Sequence, residues 1–416
     1  MTGGQPGSVF GQRKMATLAL LGFASGLPLY LTSRTLQAWM RVEHVDLTTI
    51  GVFSLVALPY SLKWIWAPLL DRYVPPFLGR RRGWLIMIQV ALVVAIAAMS
   101  REDPRLGLKL LGLNALLIAF LSASQDLVID AYRADVVSGR EAGAGAAIWV
   151  TGYRIALLAT GALAFLLADR MPWPTVYLCL AALMAIGIVA TLTAAEPPRT
   201  DVPQSFRDAV ILPYQDFLRR SGPRRAALIL VFIVLYKLPD YLAASIATPF
   251  LLDLKFTQTD IGAIQGGLGI LATIIGALVS GTLVARIGIN RSLWVVGTLQ
   301  AVSNLAYYGL ALVGKNYPAL VATIVVENFC TGLVAAGFIA FLMSLCNARY
   351  SATQYALLSS LMGASRDLVV APFGRVAEIT GWSTFFLITL LAAVPGMLLL
   401  PLFAPWRSVP NGPALE

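Results

Sequence analysis

The chain has 416 residues, of which 58% are hydrophobic and only 12% charged, and its net charge is +10. That balance excludes a water-soluble globule and places the chain in a bilayer. Cys179, Cys330 and Cys346 lie scattered in apolar segments, and the single histidine, His44, sits between Glu43 and Asp46 in a polar loop, so neither a metal cluster, a disulfide framework nor a nucleophile with its base is expected.

About 20 apolar residues cross a hydrocarbon core about 30 Å thick, and the runs between polar breaks predict twelve spans. Span 1, 15–40, is far longer than the apolar core of a signal peptide and lacks a cleavage site, so it is expected to remain as a helix. Its Gly22, Gly26 and Pro28 predict a kink and a close backbone approach. Tyr30, Gln37 and Trp39 are expected to line its outward half, with Trp39 either in the headgroup belt or against a substrate, and Arg34 attracting an anion or snorkelling.

Spans 2 to 6 are predicted at 47–70, 84–99, 108–136, 143–168 and 173–195. A polar interval at 196–225 follows, with Pro197, Pro198, Pro203 and Pro213, in which 206–220 predicts a short amphipathic helix at the membrane surface. Spans 7 to 12 are predicted at 226–252, 261–285, 293–313, 318–345, 352–378 and 382–405. The expected organisation is therefore all-α: an N-terminal six-helix bundle at 1–195, a linker at 196–225, and a C-terminal six-helix bundle with a short tail at 226–416.

Even-numbered breaks and the termini hold 17 Lys and Arg, odd-numbered breaks 7. The positive-inside rule then places both termini and the linker in the cytoplasm and accounts for the basic charge without a nucleic acid. The halves also repeat: Ile50 and Gly51 recur as Ile261 and Gly262 after 211 residues, Arg72 as Arg286 after 214, and Arg154 as Arg366 after 212. Parallel six-helix repeats of this kind are the architecture of a major facilitator transporter.

Charges inside apolar runs cost about 2.5 to 3.5 kcal/mol each and need partners, water or a ligand. Asp126 and Asp130 lie four apart on one face of span 4, where mutual repulsion favours a proton on one of them; the alternative is that Asp130 pairs with Arg133 or with a basic residue of the loop between spans 2 and 3. Lys63, Arg154, Lys237 and Arg366 are the cations expected around a central cavity. Lys237 and Asp240 flank Pro239 at a spacing suited to pairing, and Arg366, beside Asp367, is a candidate partner for Glu327. The break after span 2 reads Asp71, Arg72, then Gly79 to Arg82, which resembles the major facilitator loop signature lengthened by five residues containing Pro75 and Pro76; the second half keeps Gly281, Arg286, Gly288, Asn290 and Arg291 but has Ala285 in place of the acid. In that family the acid and arginines close the cytoplasmic side, which makes Asp71, Arg72, Arg80 and Asp135 the gate candidates.

Longer strings are more specific. LGFASGLPLYLTSRTLQAWM from Leu21, SASQDLVIDAY from Ser122, GAGAAIWVTGYR from Gly143, ENFCTGLVAAG from Glu327 and CNARYSATQYALLSS from Cys346 resemble the muropeptide permeases of the AmpG type over nearly the whole chain. The Gln125–Asp126–Asp130 pattern is also similar to the acetyl-CoA transporters of the same superfamily.

The resemblance implies a proton-coupled importer, not an enzyme. Its cargo would be N-acetylglucosaminyl-1,6-anhydro-N-acetylmuramyl peptides, moved from periplasm to cytoplasm for peptidoglycan recycling and β-lactamase induction. It implies a monomer in the bacterial inner membrane, surrounded by lipid and needing no cofactor beyond the proton gradient. Some longer members continue with further hydrophobic segments, whereas this sequence stops soon after span 12. On this reading Asp126 and Asp130 are proton-coupling candidates, and Gln37, Lys63, Gln125, Arg154, Lys237, Asp240, Glu327 and Arg366 are substrate-binding candidates. The runner-up is another anionic cargo, such as acetyl-CoA or an oligosaccharide.

Overall fold

The computed structural model describes residues 13–45, 49–50, 53–137, 141–197, 205–369 and 373–406; the side chains of 364–369 lie outside that description. Among the described residues the regular structure is all helical, and nine helical segments are long and apolar enough to cross a membrane. One of them, Asp260–Val313, is two spans joined end to end, because Gly288 turns the chain with φ 80° and ψ 167°, a left-handed conformation open to glycine. Span 2, described from Phe53 to Arg72, and span 11, Ser351–Val369 with Phe373–Thr380, complete the twelve.

Span 2 departs from the expected continuous helix. It runs as a 3-10 turn, Phe53–Ala57, a helix, Leu58–Leu62, a second 3-10 turn, Lys63–Ile65, and a helix, Ala67–Arg72. Pro59 and Pro68 explain the breaks, since each lacks an amide donor and sits in the first turn of a new helix, where none is needed.

Span 1 also responds to its proline. The α-helix Arg13–Tyr30 widens to a π-helical turn at Leu31–Thr35, just after Pro28, and resumes at Leu36–Val42. The Thr32 hydroxyl donates to the Pro28 carbonyl at 3.0 Å and the Ser33 hydroxyl to the Leu29 carbonyl at 2.6 Å, back-bonds to the preceding turn that accompany helix bending. Trp39 is neither at the lipid surface nor on a cavity: it is 2% exposed and packs on Tyr177 with ring centroids 5.1 Å apart. The expectation of a headgroup or substrate role fails because span 6 covers that face of span 1.

Small residues set the helix packing. A Cβ on Gly26 would stand 2.6 Å from the Tyr153 carbonyl oxygen, and Gly22 and Gly152 lie as close to the backbones of Trp149 and Ala19, so spans 1 and 5 pack backbone to backbone. Gly276 and Gly332 do the same for spans 8 and 10. Gly281 of span 8 meets Ala147 and Gly143 of span 5, which ties the two halves together at the end nearer the linker. Accordingly one apolar cluster runs through the N-terminal half into the linker end of the C-terminal half, while the far end of the C-terminal half has its own cluster around Phe250, Tyr307 and Phe386.

The linker helix, Phe206–Ser221, starts at Ser205, whose hydroxyl accepts the Asp208 amide at 3.0 Å. It is held against the C-terminal half: the Gln354 amide donates to Asp216 at 2.9 Å and to the Pro213 carbonyl at 3.0 Å, and Arg220 reaches Gln354 and the Leu345 carbonyl.

Candidate functional site

A cavity of about 400 Å³ opens between the halves. Span 5 contributes Arg154; span 7 contributes Lys237, Asp240 and Tyr241; span 10 contributes Glu327, Asn328 and Thr331. Pro239 lies within the Pro223–Asp253 helix between the two charged residues, and Lys237 and Asp240 form an ion pair one turn apart. The Lys237 ammonium also lies 5.3 Å from the centroid of the Tyr241 ring. Glu327 accepts from the Thr331 hydroxyl at 3.1 Å and from the Asn328 amide at 3.0 Å. Arg154 is half-buried and enters no ion pair among the described residues.

Four of the residues singled out by charge in an apolar run, Arg154, Lys237, Asp240 and Glu327, thus come together on one cavity. Asn328, Thr331, Tyr241 and Gln265 share it and carry no charge that would have marked them in the sequence. Gln37 lies on the far part of span 1 and does not line this cavity. Arg366 falls within the Ser351–Val369 helix, but its side chain and that of Asp367 lie outside the described residues, as does the expected contact with Glu327.

In the N-terminal half, span 4 carries three acids with different surroundings. Asp126 accepts from the Ser25 hydroxyl of span 1 at 2.5 Å, and the adjacent Gln125, fully buried, donates to the Ala24 carbonyl at 2.9 Å. Asp130 is paired twice, with Arg133 at 2.9 Å and with Lys63 at 3.6 Å, so Lys63 faces an acid of its own half. Arg133 is completely buried, bonds the Tyr355 hydroxyl of span 11 at 2.9 Å and lies 4.4 Å from the Trp149 ring centroid.

The third acid, Asp135, belongs to a buried cluster at the linker end. Arg81 donates to Asp135 at 2.8 Å, to Asp71 at 3.1 Å and to the Ser351 hydroxyl at 2.6 Å. Ser351 in turn donates to Asp135 at 2.7 Å, and Asp71 accepts both the amide and the hydroxyl of Thr353 at 2.8 Å. A carboxylate of the N-terminal half therefore caps span 11 of the C-terminal half, where the helix end carries partial positive charge. Arg80 reaches the carbonyls of Ala348 and Arg349 at 3.3 and 3.5 Å, and lies 3.9 Å from Asp135. Arg72 lies over the Tyr73 ring. Asp71, Asp135 and Arg80 meet at this closure, and its centre is Arg81, which the run of three arginines concealed. Glu196 caps the start of span 3 by accepting the backbone amides of Arg81 and Arg82 at 2.9 and 3.0 Å.

Twelve spans in two halves, closed at one end and enclosing a charged cavity, define a major facilitator. The chain belongs to the Major Facilitator Superfamily, whose family model matches residues 18–366. It is 49% identical over 395 residues to the anhydromuropeptide permease of Escherichia coli K12, covering 94% of this chain and 80% of the relative. An uncharacterized protein of Haemophilus influenzae is 39% identical over 409 residues, covering 96% of both chains. The resemblance to AmpG-type permeases seen in the sequence is thus borne out.

Solved structures agree on the fold. The proton:xylose symporter XylE superposes with a TM-score of 0.71 at 11% identity, covering 96% of this chain and 97% of that one. The human organic anion transporter MFSD10 gives 0.68 at 17%, covering 93% and 98%.

Proposed function

We propose that this chain imports anhydromuropeptides, N-acetylglucosaminyl-1,6-anhydro-N-acetylmuramyl peptides, from periplasm to cytoplasm by proton-coupled alternating access. The observation that carries the reading is the cavity between the halves, with Arg154 on one side and Lys237, Asp240 and Glu327 on the other, in a chain so similar to an anhydromuropeptide permease. Cations suit the peptide carboxylates and the neighbouring Tyr241 suits a sugar face. The basic linker end is the cytoplasmic one, so both termini lie in the cytoplasm and the bacterial inner membrane is the location. The Asp71–Arg81–Asp135–Ser351 cluster then closes the cytoplasmic side, joined by Arg80, and Arg72 flanks it.

Asp126 is the residue we assign to proton coupling. It bonds a hydroxyl and enters no ion pair among the described residues, whereas Asp130 is held by two cations. A proton on Asp126 drives transport only if it favours one conformation over the other. Import of this cargo supplies peptidoglycan recycling and the signal for β-lactamase induction.

Uptake of labelled anhydromuropeptide into proteoliposomes, with and without an inward proton gradient, tests the reading. Accumulation is expected only with the gradient, and accumulation without it removes the coupling. Acetyl-CoA and unsubstituted oligosaccharide are the competing cargoes, and stabilisation by either one but not by anhydromuropeptide in a thermal-shift assay would replace the assignment.

A further inference from the structure

Another cavity, of about 580 Å³, lies where the linker helix stops, span 7 starts and span 12 finishes. Gly222 turns the chain there with φ 73°, and the helix Pro223–Asp253 follows. Arg224 and Arg225 of that helix line the cavity together with Leu228 and with Leu402 of span 12. It shares no residue with the cavity between the halves.

Both arginines are exposed, and their side chains enter no ion pair or hydrogen bond among the described residues. Neighbouring arginines are engaged: Arg220 pairs with Asp216, and Arg291 donates to the Trp406 carbonyl at 3.0 Å. Arg224 and Arg225 also stand in a first helical turn that has no acid, so two positive charges meet the positive end of the helix dipole. The linker helix, by contrast, carries Asp208 in its first turn. An anion seated at the two guanidinium groups removes that repulsion.

Depth and apolar surface decide which anion. Trp406, half exposed, follows span 12, and Trp294 donates to the Ala404 carbonyl at 2.8 Å, so the cavity opens at headgroup level, where tryptophan collects. Exposed Val231 continues the line of Leu228 one turn on, and exposed Leu398 continues that of Leu402 one turn back. Both tracks run from the cavity toward the bilayer core. A free phosphate uses the arginines and leaves these tracks idle, whereas a phospholipid uses both.

We propose that this cavity binds one anionic phospholipid, its phosphodiester held by Arg224 and Arg225 and its acyl chains lying along Leu228 and Val231 and along Leu402 and Leu398. Such a site goes beyond the transport reading and is independent of the cargo. Because Ser221, the last residue of the linker helix, also lines the cavity, the lipid ties that helix to spans 7 and 12.

Native mass spectrometry of the purified full-length chain, delipidated in detergent and titrated with phosphatidylglycerol or phosphatidylcholine of the same acyl chains, tests this. One phosphatidylglycerol is expected to bind about tenfold or more tightly than phosphatidylcholine, the effect of two arginines near a membrane surface. Arg224→Gln/Arg225→Gln is expected to lose that preference. Arg13→Gln/Arg286→Gln removes equal charge from exposed positions at the same end but outside the cavity, and is expected to keep it. Soluble glycerol phosphate at the same concentration is expected not to displace the lipid.

Equal binding of the two lipids by the wild type overturns the proposal, as does an equal loss of preference in both double variants, the mark of charge spread over the whole face. Displacement by glycerol phosphate shows an ion site and overturns the lipid assignment. Size exclusion checks the fold of each variant. Should the Arg224→Gln/Arg225→Gln protein fail to fold, each single variant is expected to lose about fivefold in affinity for phosphatidylglycerol, and no loss in either one overturns the site. Transport of the cargo is decided separately, by uptake.

Discussion

Arg81 and Asp71 meet at 3.1 Å with both side chains buried, one in the first turn of span 3, which begins earlier than expected and runs Arg80–Met99, and the other in the last turn of span 2, and neither touches only its own half. Removing Arg81 leaves Asp71 buried without its cation and Asp135 with only the longer contact to Arg80, a change that costs about 3–5 kcal/mol. Arg81→Ala is expected to lower the midpoint of thermal unfolding and to expose Ser351, replaced by cysteine as a probe, to thiol reagents from the linker end. Arg81→Lys keeps the charge but cannot reach Asp71, Asp135 and Ser351 together, so an intermediate effect is expected. Unchanged labelling in Arg81→Ala would show that this cluster does not close the protein.

Asp126→Asn keeps the bond from Ser25 and removes the proton-binding charge. Concentrative uptake is expected to disappear while exchange of labelled for unlabelled cargo persists at a rate within about threefold of wild type, a residual barrier change below about 1 kcal/mol. Gradient-driven uptake at wild-type level in this variant would clear Asp126 of the role. Asp130→Asn should act differently: it strips Arg133 and Lys63 of their acid, so loss of thermal stability and not selective uncoupling is expected.

Glycine positions separate packing from tolerance. Gly152→Val thrusts a branched side chain into the Ala19 backbone, where nothing can yield, and is expected to cost several kcal/mol and abolish folded expression. Gly266→Ala meets nothing within 4 Å and is expected to change stability by less than about 1 kcal/mol. Fluorescence-detected size exclusion of the two variants compares them directly.

The linker helix is joined to the C-terminal half through Asp216, which accepts from Arg220 at 2.9 Å, Gln354 at 2.9 Å and Asn347 at 3.3 Å. Asp216 and Arg220 are partly exposed, and the buried Gln354 amide keeps the Pro213 carbonyl as acceptor, so Asp216→Ala is expected to cost only about 1 kcal/mol in thermal unfolding. A loss beyond about 3 kcal/mol would mean that the linker is integral to the closed state.

The fold was legible because apolar length and basic asymmetry act over whole spans, and the cavity was legible because Arg154 and Glu327 each stand alone in an apolar run and Lys237 and Asp240 stand as one pair in another. Legibility ended where the cause was tertiary. Arg81 hid between two identical neighbours, and the acceptors that hold it inward, Asp71, Asp135 and Ser351, come from three other spans. The partner of Asp71 lies 282 residues away at Thr353, beyond any local pattern. Span 2 looked continuous because average hydropathy passes over Pro59 and Pro68, whose missing donors break the helix. Trp39 looked like a surface aromatic because its cover, Tyr177, comes from span 6.

The Thr353 amide and hydroxyl have their acceptor only while the halves touch. Parting the halves strands donors at the start of span 11, and solvent must flood in to receive them. Opening toward that side and wetting it are then a single event, so osmolytes that lower water activity should slow the turnover of this carrier more than they slow cargo capture.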